Sequence, residues 1–205
     1  MSYFSKTDSD RTPKIPAAIA LGSNLGDSQQ TLLSAIEVID NAMHMSVTRR
    51  SHFYKTAAVG PPQPDYINAC ITIETDLSPR QLLCELLAIE KQFGRVRKER
   101  WGPRSLDLDL LLYDGHITDT PGLTVPHPRL HERPFVLIPL TDIAPNWQHP
   151  IFHITVEQCL TKLSTQSAAQ GTYGVERIVN EKLSGRNPSD KLALPCLSDK
   201  NRLNC

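Results

Sequence analysis

Residues 66–94 read YINACITIETDLSPRQLLCELLAIEKQFG, and this stretch contains the two patterns from which we predict the fold. Its first ten residues are rich in isoleucine and threonine, which favour extended structure. Successive strand residues point to opposite faces, so Tyr66, Asn68 and Cys70 share one face and the isoleucines share the other. We therefore predict a strand over 66–75.

A helix follows this strand, because helix start and stop signals are both present. Ser78 is the predicted N-cap, Pro79 fits the first helical position, and Gln81 completes a capping box. Gly94 suits the left-handed conformation in which many helices end. The apolar stripe between these signals recurs at helical spacing and consists of Leu82, Leu86, Ile89 and Phe93.

The flanking segments continue the alternation of strands and helices. We predict a buried strand over 15–21, a helix over 28–43, a strand over 47–56 and a strand over 106–113. The order strand–helix–strand–strand–helix–strand predicts an α+β fold. It is the ferredoxin-like split βαβ sandwich, an antiparallel sheet with helices on one face, here with C-terminal additions that include a helix over 155–163.

The chain divides into three parts by composition. Residues 1–14 are polar and are predicted to be a flexible N-terminal arm, and residues 15–164 form one domain. Residues 165–205 are rich in serine, asparagine, aspartate and lysine and show weak periodicity. We predict that they form a flexible polar tail.

Overall composition excludes several classes of function. The chain has 22 basic and 22 acidic residues, whereas nucleic-acid and membrane-surface proteins usually carry a clear positive charge. No stretch reaches the roughly 20 apolar residues of a membrane span. The five cysteines include no C-x-x-C pair, so we expect reduced thiols and a cytoplasmic location.

Asp107 and Asp109 are the strongest chemical signal in the sequence. They lie two residues apart in the predicted strand LDLDLLL (106–112), so both carboxylates project from the same face. Adjacent carboxylates repel each other, and a Mg²⁺ ion that takes its other ligands from substrate phosphates relieves this repulsion. The alternative is a solvated pair on the sheet surface.

A basic loop precedes the two aspartates. Residues 95–104, RVRKERWGPR, contain five cationic residues and one anionic residue. Arginine matches phosphate oxygens with two parallel hydrogen bonds, although a charge run is often only solvated. Cations beside metal-binding carboxylates suit a polyphosphate substrate, and this combination is more specific than either feature alone.

Three other features are weaker. The segment GSNLG (22–26) precedes a helix but lacks the lysine of a P-loop, and its glycines favour a tight turn. His127 considered alone favours a structural histidine, and Phe135 considered alone favours a core residue.

Five blocks of sequence, in order, resemble the 6-hydroxymethyl-7,8-dihydropterin pyrophosphokinase family. They are GSNLGD (22–27), FYKT (53–56), PDYINA (64–69), GRVRKERWGPRSLDLDLLLY (94–113) and LTVPHPRLHERPFVLIPLTDIAP (123–145). The resemblance covers nearly two-thirds of the chain. It implies a pyrophosphokinase domain that transfers the diphosphate of ATP to the hydroxymethyl group of a dihydropterin, releasing AMP, in folate biosynthesis. It also implies two Mg²⁺ ions bound with ATP, and we expect a monomer.

The resemblance implies roles for individual residues. The implied catalytic residues are Arg95, Arg104, Asp107 and Asp109, and the two aspartates are also the implied metal ligands. The implied ATP-binding residues are Glu90, Arg97, Trp101, Leu110, Thr124, His127 and Arg133. The implied pterin-binding residues are Thr56, Val59, Tyr66, Asn68, Trp101 and Phe135.

The sequence departs from the family pattern at three places. The loop over 95–104 is one residue shorter than in many relatives, and Gly122 and Pro128 stand where some relatives have an arginine and an aromatic residue. No residue suggests itself as a general base. The alternative function, an RNA-binding module, lacks the RNP pattern and would set two carboxylates against phosphate.

Overall fold

The computed structural model describes residues 13–58, 62–95, 102–167 and 174–179. The strands are β1 (Ile15–Ser23), β2 (Met45–Arg50), β3 (Tyr54–Thr56), β4 (Tyr66–Thr75), β5 (Asp107–Tyr113), β6 (Thr118–Thr120), β7 (Leu123–Val125), β8 (Gln148–His149), β9 (Ile154–Thr155) and β10 (Val175–Arg177). The helices are α1 (Ser28–Asp40), α2 (Pro79–Gln92), α3 (Pro134–Ile143) and α4 (Val156–Ser167), with a 3₁₀ turn at Leu130–Glu132. Among these, no helix is long and apolar enough to cross a membrane.

The main sheet is antiparallel and joins strands that are distant in sequence. Its order is β10-β3-β4-β1-β5, and β2 pairs with the second half of β4. β1 lies between β4 and β5, and its Gly22 is opposite both Asn68 and Asp107. This register brings the end of β1 together with the beginnings of β4 and β5, where predicted site residues lie.

Helices cover both faces of the sheet, so the prediction of helices on one face is wrong. The first core joins α1 and α2 to the sheet through residues such as Ile19 and Leu86. The second core joins α3 and α4 to the other face through residues such as Ala18 and Leu137. α3 is apolar nearly all round, so its sequence lacks the periodicity by which a helix is recognised.

A β-bulge in β5 separates its polar end from its apolar end. Ala18 is opposite Leu112 and Ile19 is opposite Leu110, so Leu111 is the extra residue. Before the bulge, Leu108 and Leu110 face the first core, and Asp107 and Asp109, which alternate with them, therefore face the α3 side. Beyond it, Leu111 and Leu112 both reach the second core. The bulge thus lets one strand carry two carboxylates and still bury its other end on both faces.

Local signals in the sequence explain several element boundaries. The capping box of Ser78 and Gln81 is confirmed, and Gly94 has the predicted positive φ of 75°. The strand predicted over 47–56 is interrupted, because the Ser51 hydroxyl accepts the Cys70 N–H at 2.9 Å where β2 gives way to β3.

Residues 165–205 are not wholly a structureless tail, as far as they are described. α4 continues to Ser167, and Val175–Arg177 pairs with Tyr54–Thr56 at the sheet edge. Ile178 donates its N–H to Phe53 at 2.9 Å and packs against the first core. A strand of three residues has too little pattern to be recognised from sequence, whereas an open sheet edge readily accepts it.

Candidate active site

A cavity of about 400 Å³ lies over the sheet where β1, β4 and β5 meet. Gly22 and Ala20 of β1 form its floor, and α3 begins at its rim. A Cβ atom on Gly22 would lie 3.3 Å from Asn68 Oδ1 and 4.0 Å from Asp107 Cβ, so glycine keeps this floor open. The other lining residues are Leu21, Thr56, Ala57, Tyr66, Asn68, Ala69, Arg104, Asp107, Asp109, His127, Arg129, Arg133, Phe135 and Val136.

One end of the cavity holds two carboxylates, each beside cationic groups. Asp107 lies 2.8 Å from Arg95 Nη1 through Oδ1 and 2.5 Å from Arg104 Nη1 through Oδ2. Asp109 Oδ2 accepts a hydrogen bond from Arg133 Nη1 at 3.0 Å. Three guanidinium groups therefore offset the repulsion between the two aspartates.

Asp107 Oδ1 is buried and receives no well-directed hydrogen bond from the residues that the structure describes. The Arg95 guanidinium is close, at 2.8 Å, but it is not aligned to donate a hydrogen to this oxygen. A buried carboxylate oxygen without a directed donor is suited to a cation. Within the described part of the chain, no group of three or more His, Cys, Asp or Glu side chains is arranged for a metal. The protein would therefore supply only two carboxylates, as is usual where Mg²⁺ is shared with phosphates.

Glu90 supports this end of the cavity from behind. It is only 1% exposed, and its Oε1 accepts the Leu108 N–H at 2.7 Å and contacts Arg95. Burial raises the pKa of Glu90, while the Leu108 N–H and Arg95 oppose that rise. Glu90 thus holds both the strand that carries the aspartates and the arginine beside them, and its nucleotide contact stays a prediction.

Arg104 keeps its charge in spite of partial burial. Burial lowers the pKa of Arg104. The charge and hydrogen bond of the Asp107 carboxylate, together with Tyr66 and Asp109, oppose this effect, and the net pKa is raised. The guanidinium therefore remains available to an anionic ligand.

His127 is placed as a neutral hydrogen-bond donor. Its Nδ1 accepts the Arg129 N–H at 3.1 Å, so the proton of the neutral ring is on Nε2, which lies 3.8 Å from Asp109 Oδ2. Burial lowers the pKa of His127, and the nearby Asp109 opposes this shift. A neutral imidazole can donate to an anion without adding charge.

The other end of the cavity is aromatic and amide-lined. Tyr66 and Phe135 both line it, and Asn68 donates its Nδ2–H to Thr56 Oγ1 at 2.8 Å. Tyr66 donates its hydroxyl hydrogen to the Gly102 carbonyl at 3.3 Å, and burial raises the pKa of this hydroxyl. Because Thr56 takes an Asn68 hydrogen, Asn68 Oδ1 is left facing the cavity floor, where it can accept from a ligand.

The structure brings together most, but not all, of the predicted site residues. Val59, Arg97 and Trp101 lie outside the described residues. Leu110 packs in the first core, and the exposed Thr124 hydroxyl donates to Asp119, so neither side chain lines the cavity. Their predicted contacts with ATP are not supported by side-chain position in this structure.

Sequence reasoning missed several residues at the site. The sequence predicts a turn glycine at Gly22, whereas its position opposite Asn68 and Asp107 makes it part of the cavity floor. Arg129 and Ala57 also line the cavity. The pairing register that assembles these residues is a tertiary feature that no local pattern indicates.

The fold and the site together define a class of enzyme that handles a phosphorylated substrate beside a flat ring. The arginines and aspartates form one half of the cavity, and the aromatic and amide groups form the other.

Comparisons with known proteins identify the family. Residues 18–145 match the family model described as 7,8-dihydro-6-hydroxymethylpterin-pyrophosphokinase (HPPK), and the chain belongs to this family. A relative from Synechocystis, a 2-amino-4-hydroxy-6-hydroxymethyldihydropteridine pyrophosphokinase, is 44% identical over 160 residues, which are 78% of this chain and 82% of the relative. The protein of the same description from Haemophilus influenzae is 46% identical over 144 residues, 70% of this chain and 90% of the relative.

Solved structures support the fold. A crystal structure of Plasmodium falciparum HPPK-DHPS superposes with a TM-score of 0.67 at 13% identity and covers 82% of this chain. The present chain spans about half of that longer chain, 50% of its length. At this identity the likeness concerns the fold alone.

Proposed function

We propose that the chain transfers the diphosphate of ATP to the hydroxymethyl group of 6-hydroxymethyl-7,8-dihydropterin, giving AMP and the pterin diphosphate for folate biosynthesis. The observation that carries this proposal is the division of one cavity into a charged half and an aromatic half. The family membership, and relatives named as pyrophosphokinases of this pterin, agree with it.

In this proposal the aromatic half binds the pterin. Tyr66 and Phe135 provide flat apolar surface for the ring, and stacking on such surfaces is favourable. Asn68 Oδ1 accepts a hydrogen from the ring edge, while Thr56 holds the Asn68 amide in orientation. We propose that Val59 and Trp101, which lie outside the described residues, complete this half.

The charged half binds the triphosphate. Arg104, Arg133 and the neutral His127 donate to phosphate oxygens, and Arg95 adds positive charge nearby. We propose that Arg97, which lies outside the described residues, also binds the nucleotide. Phosphoryl transfer requires chiefly in-line positioning and neutralisation of charge, which such donors supply.

Asp107 and Asp109 would hold the magnesium ions that accompany ATP. Magnesium, when bound, neutralises charge on the phosphates and fixes their geometry. The buried Asp107 Oδ1, to which no described residue donates a directed hydrogen bond, fits this role.

In the reaction, the pterin hydroxyl oxygen forms a bond to the β-phosphorus of ATP. The bond from that phosphorus to the α–β bridging oxygen breaks, AMP leaves with its electron pair, and the hydroxyl proton is released. We assign no side chain as general base. The residues described above act by holding the oxygen and the phosphorus in line.

We also propose the finer features of the fold and setting. The strand order β3-β4-β1-β5 with α1 and α2 on one face supports a ferredoxin-like arrangement for the first part of the domain. Burial raises the thiol pKa of both Cys70 and Cys159, which suits unreactive reduced cysteines in the cytoplasm. We propose a monomer.

The test is to incubate the protein with ATP, Mg²⁺ and the hydroxymethyl-dihydropterin and to separate the nucleotide products. AMP in equal amount to pterin diphosphate supports the proposal, whereas ADP would mean ordinary phosphoryl transfer and overturn it. Asp107→Asn should lose AMP formation, and Asp76→Asn, which alters a carboxylate paired with His44 away from the cavity, should keep it.

A further inference from the structure

Asn24 belongs to the GSNLG segment, and the proposed function gives this residue no role. It is only 3% exposed, and it does not line the cavity. A buried amide is retained at low cost only if its donors and acceptors are satisfied. The partners of Asn24 therefore indicate what it does.

One set of hydrogen bonds connects Asn24 to Arg104. Asn24 Oδ1 accepts the Arg104 backbone N–H at 2.8 Å, and the Asn24 backbone N–H donates to the Arg104 carbonyl at 3.1 Å. These two bonds hold the main chain of Arg104 from both sides. The guanidinium of the same residue contacts Asp107 at 2.5 Å. Asn24 therefore fixes the backbone position from which the Arg104 side chain extends into the charged half.

The other set connects Asn24 to the segment that leads into β4. Its Nδ2 donates one hydrogen to Gln63 Oε1 and one to the Pro64 carbonyl, both at 3.0 Å. Pro64 lies two residues before Tyr66, whose ring lines the aromatic half. Tyr66 in turn donates to the Gly102 carbonyl at 3.3 Å. The loop over 62–65, which leads into β4, and the loop over 102–104 are therefore connected both through Asn24 and through Tyr66.

The chemistry of the amide allows only one orientation. Its oxygen meets an N–H and its nitrogen meets two oxygens, so a flipped amide would lose all three side-chain hydrogen bonds. Both nitrogen hydrogens are used on the pterin side, and the oxygen is used on the phosphate side. No side chain other than asparagine has this division of donors and acceptor at this length.

We infer that Asn24 is a positioning residue that couples the two halves of the cavity, holding Arg104 on one side and the approach to Tyr66 on the other. This inference rests on the proposed function for the identity of the two substrates. Asn24 touches neither the reacting atoms nor the cavity, and it acts through the two loops.

The substitution Asn24→Asp distinguishes the connection to Arg104 from the connection to Gln63 and Pro64. The carboxylate keeps an oxygen for the Arg104 N–H, but it sets a second oxygen against the Pro64 carbonyl in place of a donor. Asn24→Ala removes both connections. Thr75→Val is the matched control, since Thr75 is fully buried and its hydroxyl bonds His44 and Leu77 at the opposite end of β4.

Steady-state kinetics with each substrate varied should show distinct patterns. Asn24→Asp should raise KM for the pterin about tenfold, the cost of losing hydrogen bonds that order its loop, with KM for ATP within twofold. Asn24→Ala should in addition lower kcat about 100-fold, because a small displacement of a positioning residue has effects of that size. Thr75→Val should lower the melting temperature with both KM values and kcat within twofold.

Amide hydrogen exchange provides a readout that does not depend on turnover. Asn24→Asp should speed exchange in 62–66 but not at Arg104, and Asn24→Ala should speed both. If Asn24→Ala lowers the melting temperature as much as Thr75→Val does but leaves both KM values and kcat unchanged, the coupling role is overturned. Equal rises of both KM values in Asn24→Asp would also overturn it. If the wild-type protein forms no AMP, the proposed function is wrong whatever the role of Asn24. Amide hydrogen exchange then decides alone whether Asn24 holds the two loops.

Discussion

Replacing Glu176 with proline tests whether the short strand β10 supports the aromatic half of the cavity, where we propose that the pterin binds. Ile178 donates its N–H to Phe53, and hydrogen-bonded pairs alternate along an antiparallel ladder. The Glu176 N–H therefore faces Lys55, its partner in register. Proline removes this donor, whereas Glu176→Ala keeps it and removes only an exposed side chain.

The expected loss of stability can be worked from the contacts of β10. One backbone hydrogen bond contributes about 0.5–1.5 kcal/mol net. If the strand detaches, partial burial of Ile178 is lost as well, which is about half of the roughly 2 kcal/mol for full burial. The sum is about 2 kcal/mol, which in a chain of this size lowers the melting temperature by about 4–8 °C.

The functional consequence follows from the strand to which β10 is paired. Val175 is opposite Thr56, and the Thr56 hydroxyl holds the Asn68 amide that faces the cavity. When β10 detaches, β3 becomes a free edge strand, and Thr56 and Asn68 gain freedom that a bound pterin must remove. We expect KM for the pterin to rise about three- to tenfold, with KM for ATP unchanged.

Thermal unfolding and steady-state kinetics of both variants decide the question. Glu176→Ala should match the wild-type protein in melting temperature and in both KM values. A Glu176→Pro protein that also matches the wild type would show that β10 contributes nothing to the pterin site. A rise in KM for ATP as large as that for the pterin would show that the effect is general destabilisation.

The remaining predictions concern the cavity and one buried histidine. Asp109→Asn should lower kcat by at least about 100-fold, because charge stabilisation at the phosphates is lost; a kcat within threefold of wild type, measured by AMP release at saturating Mg²⁺, would contradict the metal role. Tyr66→Ala should raise the dissociation constant of the pterin about tenfold in calorimetry and leave that of ATP unchanged; equal effects would contradict stacking. Burial, followed by the nearby His131, lowers the pKa of His149, whose Nδ1 accepts the N–H groups of Ile151 and Phe152. The unfolded chain therefore takes up this proton first, so stability should be lost as pH falls below about 6.5. His149→Gln should flatten that loss between pH 7.5 and 5.5 in urea unfolding, and an identical slope would show that another group is responsible.

The elements that could be predicted from sequence are those whose signals are local. The helix from Pro79 to Gln92 has its cap, its first-position proline, its stripe and its terminal glycine within 17 residues, and the structure follows them. α3 could not be recognised in the same way, because nearly all of its residues are apolar and no stripe stands out. β10 is too short to show a pattern and forms because β3 offers an open edge.

The candidate site also has a part that local sequence signals predict and a part that depends on tertiary structure. Asp107 and Asp109 are two residues apart, so a strand alone brings their carboxylates together, and the basic loop is adjacent in sequence. The aromatic half draws on β3, β4 and the start of α3. The β3–β4 register makes neighbours of Thr56 and Asn68, and the packing of α3 on the sheet adds Phe135. For this half, the residue roles come from the resemblance to a family, and they stay predictions.

The charges around β5 favour binding of a metal ion by Asp107 and Asp109 and oppose a direct contact between these carboxylates and the phosphates. Glu90, Asp107 and Asp109 carry three negative charges, and Arg95, Arg104 and Arg133 carry three positive ones in direct contact with them. The cluster is therefore balanced before ATP arrives, which keeps three carboxylates stable in a partly buried place. A triphosphate entering this balanced cluster adds only negative charge, and the aspartates would repel it. The arginines can turn toward phosphate oxygens only if other positive charge takes their place beside the aspartates. Divalent cations that arrive with ATP would meet this requirement, so we propose that the aspartates that hold the arginines in the free protein become metal ligands in the complex.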